Sequence, residues 1–153
     1  MVAGMTVTPT TAKAERPAQF GIQGGYSGDI DWYLGARAEL GASKLFKRSR
    51  AVIDFNWFFP DAENFRYYDF NLNYLWPLTT LAENSKSNLY IGGGFNVGRG
   101  WVKDVDNSED WEFGLNALAG FNWDLGGRAA FVEGMYTFIS DYDQWRIGAG
   151  FLF

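Results

Sequence analysis

From residue 18 to the C-terminus, apolar and polar positions alternate with a period of two. That period puts one set of side chains on each face of a β-strand. Eight such stretches are predicted, at 18–26, 30–40, 51–59, 68–76, 89–101, 111–123, 130–138 and 145–153. In the second, Ile30, Trp32, Leu34, Ala36, Ala38 and Leu40 share a face, opposed by Asp31, Tyr33, Gly35, Arg37 and Glu39. In the sixth, Trp111, Phe113, Leu115, Ala117, Ala119, Phe121 and Trp123 oppose Glu112, Gly114, Asn116, Leu118, Gly120 and Asn122. The seventh has the weakest pattern. It sets Val132, Gly134, Tyr136 and Phe138 against Glu133, with Phe131 and Met135 on the Glu133 side.

Eight alternating strands suit a soluble barrel with its apolar face inward, or a membrane barrel with that face toward lipid. Capacity separates the two. The interior of an eight-stranded barrel is only just wide enough for side chains to fill it, and most of the large apolar side chains would not fit there. The opposite face carries Gly21, Gly25, Gly35, Gly92, Gly94, Gly98, Gly114, Gly120, Gly148 and Gly150, with asparagines and a few charges. That set suits a narrow polar interior, in which small residues make room for Arg37, Arg146 and Tyr90. The fold class is therefore all-β, an eight-stranded antiparallel up-and-down transmembrane β-barrel. The competing reading is a soluble lipocalin-like ligand-binding barrel.

Aromatic residues group near the strand ends. Trp32, Trp57, Trp101, Trp111 and Trp145 lie toward one set of connections, and Trp76 and Trp123 toward the other. Two such girdles are what anchoring at two membrane interfaces predicts. Charge sorts with them. The connections at the first end, including Asp29, Asp61, Glu63, Asp104–Asp110, Asp141 and Asp143, carry ten acids and one base, net −9. The other end, including Lys44, Lys47, Arg48, Arg50, Lys86 and Arg128, has eight bases and three acids, net +5.

Composition narrows the functional classes. The 153 residues make one domain, 18–153, preceded by a tail, 1–17. Residues 1–17 show no period and lack the apolar core of a secretory signal. There is no cysteine and no histidine. Disulfides, thiolate metal sites and histidine general-base chemistry are thereby excluded. A net charge of −5 argues against nucleic acid as a partner.

The chain resembles the small eight-stranded outer-membrane proteins, such as OmpX and the membrane domain of OmpA, over residues 18–153. The most specific element is the terminus Trp145-Arg-Ile-Gly-Ala-Gly-Phe-Leu-Phe153. Its Trp145, Ile147, Phe151 and Phe153 resemble the signal read by the barrel-assembly machinery. The resemblance implies a bacterial outer-membrane location with both termini in the periplasm, so that the acidic end faces outward. It also implies outer-membrane lipid and lipopolysaccharide as surroundings. One departure concerns loop length. The outward connections Ser27–Asp29 and Pro60–Glu63 are short, whereas the turns at the opposite end, Gly41–Ser49 and Pro77–Ser87, are comparatively long.

Candidate chemistry is sparse. Enzymes among outer-membrane barrels that resemble this chain in size pair a histidine with serine or aspartate. Without histidine a Ser–His arrangement is impossible, and all seven serines are expected in connections. No enzymatic activity, cofactor or metal is expected. The 104–110 segment lacks the glycine and the final glutamate of an EF-hand loop; it reads as a solvated acidic loop, with weak divalent-cation binding as the sharper alternative. Arg66 and Arg99 share parity with the lipid-facing aromatics. They either snorkel to the interface or contact lipid A phosphates. Arg37, Glu39, Asp54, Asp69, Glu112, Glu133 and Arg146 share interior parity and are expected to form a polar network, with Arg37 opposite or diagonal to Asp54.

The expected function is a non-enzymatic, monomeric outer-membrane barrel with a largely plugged lumen, serving a structural or envelope-interaction role, alone or as a subunit of a larger envelope complex. The alternative is a narrow, low-conductance channel for ions or small solutes.

Overall fold

The computed structural model describes residues 18–28, 30–42, 49–62, 64–78, 87–103, 110–139 and 143–153. Eight strands run in chain order: β1 (Gln19–Ser27), β2 (Asp31–Gly41), β3 (Arg50–Phe59), β4 (Phe65–Pro77), β5 (Ser87–Val102), β6 (Asp110–Asp124), β7 (Ala129–Ile139) and β8 (Asp143–Leu152). Each pairs antiparallel with the next, and β1 pairs with β8, so the sheet closes into a barrel. Closure leaves no sheet edge, which is the condition for strands to cross a bilayer.

The predicted strands all form, with ends moved by up to three residues. β4 begins at Phe65, ahead of the expected 68, and so brings Tyr67 into the barrel wall. Ile30 is a correction. It was placed with Trp32 on the outward face, but it lies before β2, where Asp31 takes φ 79°, and it is buried with Tyr33, Phe58 and Tyr67. The reversal at that turn breaks the strand parity. Ser27 and Ser87 are also corrections: they are the last residue of β1 and the first of β5, not connection residues. The β6–β7 turn is tight. Gly126 and Gly127 take φ of 81° and 94°, and the Gly126 amide donates to Asp124 Oδ1 at 2.9 Å. The tail 1–17, most of the two long basic-end connections and the acidic segment 104–109 lie outside the described residues.

The faces separate by polarity. Outward residues include Phe20, Trp32, Leu34, Phe95, Phe113, Leu115 and Ile147, each more than half exposed. Inward residues include Asp54, Asn56, Asp69, Asn71, Asn96, Thr137 and Arg146, all nearly inaccessible. This is the inverse of a soluble barrel. So large an exposed apolar surface would drive association in water, whereas lipid matches it.

Candidate functional site

The interior is built from two hydrogen-bonded layers and the rings that flank them. In the first, Asp69 is the hub. Its Oδ1 accepts from Asn56 and Asn71, each at 2.9 Å, and its Oδ2 accepts from Asn96 at 3.0 Å and Arg146 at 2.7 Å. Asn71 passes the network on, accepting at Oδ1 from Asn96, Asn116 and Arg146. Gln23 donates to Asn56 at 2.7 Å, and Thr137 to Asn116 at 2.8 Å. Side chains from β1, β3, β4, β5, β6, β7 and β8 thus form one belt. β2 contributes Gly35 at this level, where a Cβ would strike Asn56 and the Phe55 carbonyl.

The second layer lies nearer the basic end. Arg37 donates through Nε to Glu39 at 3.0 Å and reaches across the barrel to Glu133 at 3.2–3.3 Å. Arg50 donates to the other oxygen of Glu39 at 2.6 Å. Tyr90 donates to Glu133 Oε2 at 2.9 Å. The Arg37 guanidinium carbon is 4.3 Å from the Phe131 ring centroid, and that of Arg50 is 5.3 Å from the Tyr90 centroid. Two guanidiniums here face two carboxylates. In the Asp69 layer one guanidinium faces two, because Asp54 accepts from Asn56 and Asn71 at Oδ1, while its Oδ2 has no hydrogen-bond partner among the described residues.

The expected interior set is therefore divided. Arg37 and Asp54 are Cα partners across β2 and β3, yet the guanidinium of Arg37 bonds Glu39 and Glu133 instead. Glu112 stands apart near the acidic end, where Tyr67 donates to it at 3.0 Å. Arg50 was assigned to a connection. It is instead the first residue of β3, and strand parity carries its side chain inward. Asn56, Asn71, Asn73, Asn96 and Asn116 were seen only as polar filler, although they form the belt. Their regular opposition to apolar residues was the available signal.

Large rings occupy the interior as well: Tyr90, as expected, together with Tyr33, Phe58, Tyr67 and Phe131. Four of them face a glycine. Tyr33 covers Gly148, Tyr67 covers Gly98, Tyr90 covers Gly120 and Phe131 covers Gly150, and at each glycine a Cβ would collide with the ring or its hydroxyl. The missing side chains are the space in which the rings lie.

On the outside all seven tryptophans point away from the lumen. Toward the acidic end Trp57 stacks on Tyr68 at 6.1 Å, Trp101 meets both at 6.0 and 5.8 Å, and Tyr26 contacts Trp32 at 5.4 Å and Trp145 at 6.2 Å. At the other end Tyr74 packs on Trp76 at 4.8 Å and Phe121 on Trp123 at 4.6 Å. Arg66 and Arg99 are outward and half-buried within the acidic-end group. Trp145, Ile147 and Phe151 form an exposed outward row on β8, continued by the exposed Phe153 just past its end, and the Phe153 amide donates to the Phe20 carbonyl on β1 at 2.7 Å.

No family model matches the chain, and no curated protein matches it. Solved structures do. The N-terminal β-barrel domain of Pseudomonas aeruginosa OprF matches with a TM-score of 0.71 at 11% identity, over 89% of this chain and 95% of that one. Neisserial surface protein A (NspA) matches at 0.62 and 14%, over 88% and 94%. Ail, the attachment invasion locus protein of Yersinia pestis, matches at 0.54 and 15%, over 89% and 97%. At these identities the likeness concerns the fold: this chain has the eight-stranded barrel fold seen in small outer-membrane proteins.

Proposed function

We propose that this chain is a closed, monomeric barrel of the bacterial outer membrane with a structural or envelope-interaction role, and that it is neither an enzyme nor an open pore. The observation that carries the reading is the pair of ionic contacts spanning the interior, Arg37 to Glu133 and Arg146 to Asp69. Both pairs are buried, and breaking either leaves an uncompensated charge. A conducting path would have to displace them. In this proposal both termini lie in the periplasm and the acidic end faces outward. Trp145, Ile147, Phe151 and Phe153, exposed on the closing strand, fit recognition by the barrel-assembly machinery before β8 meets β1.

The test is cold versus boiled electrophoresis of protein refolded in detergent, followed by planar-bilayer recording of the folded band. A heat-modifiable band without steady conductance is the expected result. Steady conductance would replace this reading with a narrow channel, and folding in plain buffer would overturn the membrane assignment.

A further inference from the structure

Met135 holds the one sulfur atom among the described residues. With no cysteine in the chain, its thioether is the group in the lumen most open to oxidation by oxygen transfer. It faces inward from β7, between Glu133 and Thr137, and so lies between the two polar layers. Val52, Leu75, Tyr90 and Leu118 pack around it. Its Sδ accepts from Arg146 Nη2 at 3.1 Å, and the register makes the two residues Cα partners across β7 and β8.

Oxidation of a buried methionine turns an apolar side chain into a polar one and ordinarily disrupts a core. The cost arises because the new oxygen is buried without a donor. At Met135 a donor is already in place. Arg146 Nη1 bonds Asp69, and Nη2 bonds Asn71 and Met135. Arg146 Nε is buried and has no partner among the described residues. A sulfoxide oxygen on Met135 supplies that orphan with an acceptor. The rotatable bonds of methionine let the oxygen turn toward the guanidinium. A thioether is a weak acceptor, whereas a sulfoxide oxygen on a guanidinium makes a charge-assisted bond.

We propose that Met135 is a modification site for hydrogen peroxide, and that Arg146 receives the sulfoxide oxygen within the folded barrel. Peroxide is neutral and little larger than water, so it needs no open pore, and Met135 keeps 7% of its surface exposed. A sulfur lone pair attacks one peroxide oxygen, and the S–O bond forms as the O–O bond breaks. The departing oxygen takes the proton of the attacked oxygen and leaves as water. The thioether is oxidised to the sulfoxide, and the peroxide is reduced by the same electron pair. The ionic contacts Arg37–Glu133 and Arg146–Asp69 are not consumed, so the lumen is closed before and after the reaction.

The experiment treats detergent-refolded protein with millimolar hydrogen peroxide and follows oxygen uptake at the Met135 peptide by mass spectrometry. Heat-modifiable electrophoresis, urea titration and nitrogen-edited NMR of the arginine Nε–H groups are run on the same samples. Wild type is expected to gain one oxygen at Met135 while its folded band persists. Its unfolding midpoint is expected to equal or exceed that of the untreated barrel, and the Arg146 Nε–H signal is expected to shift and to exchange more slowly. Met135→Leu keeps Met1 and Met5 and so reports oxidation elsewhere; it is expected to show none of these changes. Met135→Gln, whose amide oxygen stands in for that of the sulfoxide, is expected to shift the same Arg146 signal without peroxide. Oxidation of Met135 in the urea-unfolded chain alone overturns the proposal. So does loss of the folded band after treatment, or an Arg146 signal that oxidation leaves unchanged. A missing folded band before treatment would overturn the barrel itself, and this site with it.

Discussion

Arg146 and Asp69 meet across the barrel at 2.7 Å, and Arg146 is the guanidinium hydrogen-bonded into the asparagine belt. The second layer has two, Arg37 and Arg50, sharing Glu39. The layers should therefore respond differently to loss of one cation. Removing one partner of a buried pair costs about 3–5 kcal/mol. Arg146→Ala is expected to reach the top of that range, because Asp69 loses its bonded cation and a layer that already holds Asp54 without one is left with no guanidinium. Arg37→Ala is expected to cost less, since Arg50 still holds Glu39 and Tyr90 still donates to Glu133. Urea titration of the refolded variants in one detergent, read by far-ultraviolet circular dichroism, gives the ranking. An Arg37→Ala barrel as urea-resistant as wild type would refute the structural weight given to that layer.

The two aspartates of the belt should separate just as clearly. Asp69 accepts four hydrogen bonds, one of them from a guanidinium. Asp69→Asn exchanges two acceptor sites for donors facing donors and is expected to cost about 3–5 kcal/mol. Asp54 uses one oxygen, and the layer holds one more carboxylate than guanidinium. Asp54→Asn keeps an acceptor for Asn56 and Asn71 while removing the surplus charge. Its unfolding midpoint is expected to equal or exceed that of wild type in the same assay.

The ring-over-glycine pairs predict a size threshold. Gly148→Ala puts a methyl group into the Tyr33 hydroxyl, and overpacking of this kind costs about 1–3 kcal/mol. Tyr33→Phe removes the colliding atom, so the double variant Tyr33→Phe/Gly148→Ala is expected to recover part of the loss. A double-mutant cycle on unfolding free energy measures the coupling, and strictly additive effects would show that the ring does not rest on that glycine.

Outward positions should follow the rules of lipid exposure. Phe95 lies midway along β5, is 64% exposed, and pairs with Leu72 and Leu115. Phe95→Arg is expected to cost about 2–4 kcal/mol, the value for a cation at the bilayer midplane of a barrel wall. The same change at Phe59, beside the acidic-end belt, is expected to cost about 1 kcal/mol or less. Refolding yields into vesicles across urea concentrations compare the two. Equal costs would mean that depth in a membrane plays no part.

The period-two pattern specified eight strands and, Ile30 apart, the faces singled out on them, because those follow from local geometry and from how many large side chains a narrow interior admits. Trp32, Phe113 and Ile147 point outward as their parity required. The register of Arg37 with Asp54 was legible too, since a regular hairpin leaves little choice. The ionic partners were not. A guanidinium spans several residues, so in a closed barrel it can reach strands that are distant in sequence, and Arg37 on β2 finds Glu133 on β7. Arg50 was hidden by its place at a strand end, where the pattern gives no boundary. The ring of Tyr33 on β2 could be housed only once closure brought it over Gly148 on β8, whereas Tyr67 over Gly98 and Phe131 over Gly150 are neighbours on consecutive strands. Parity is a property of one strand and is written in the sequence. Which interior groups meet depends on curvature and stagger around the whole barrel, and only the tertiary structure decides that.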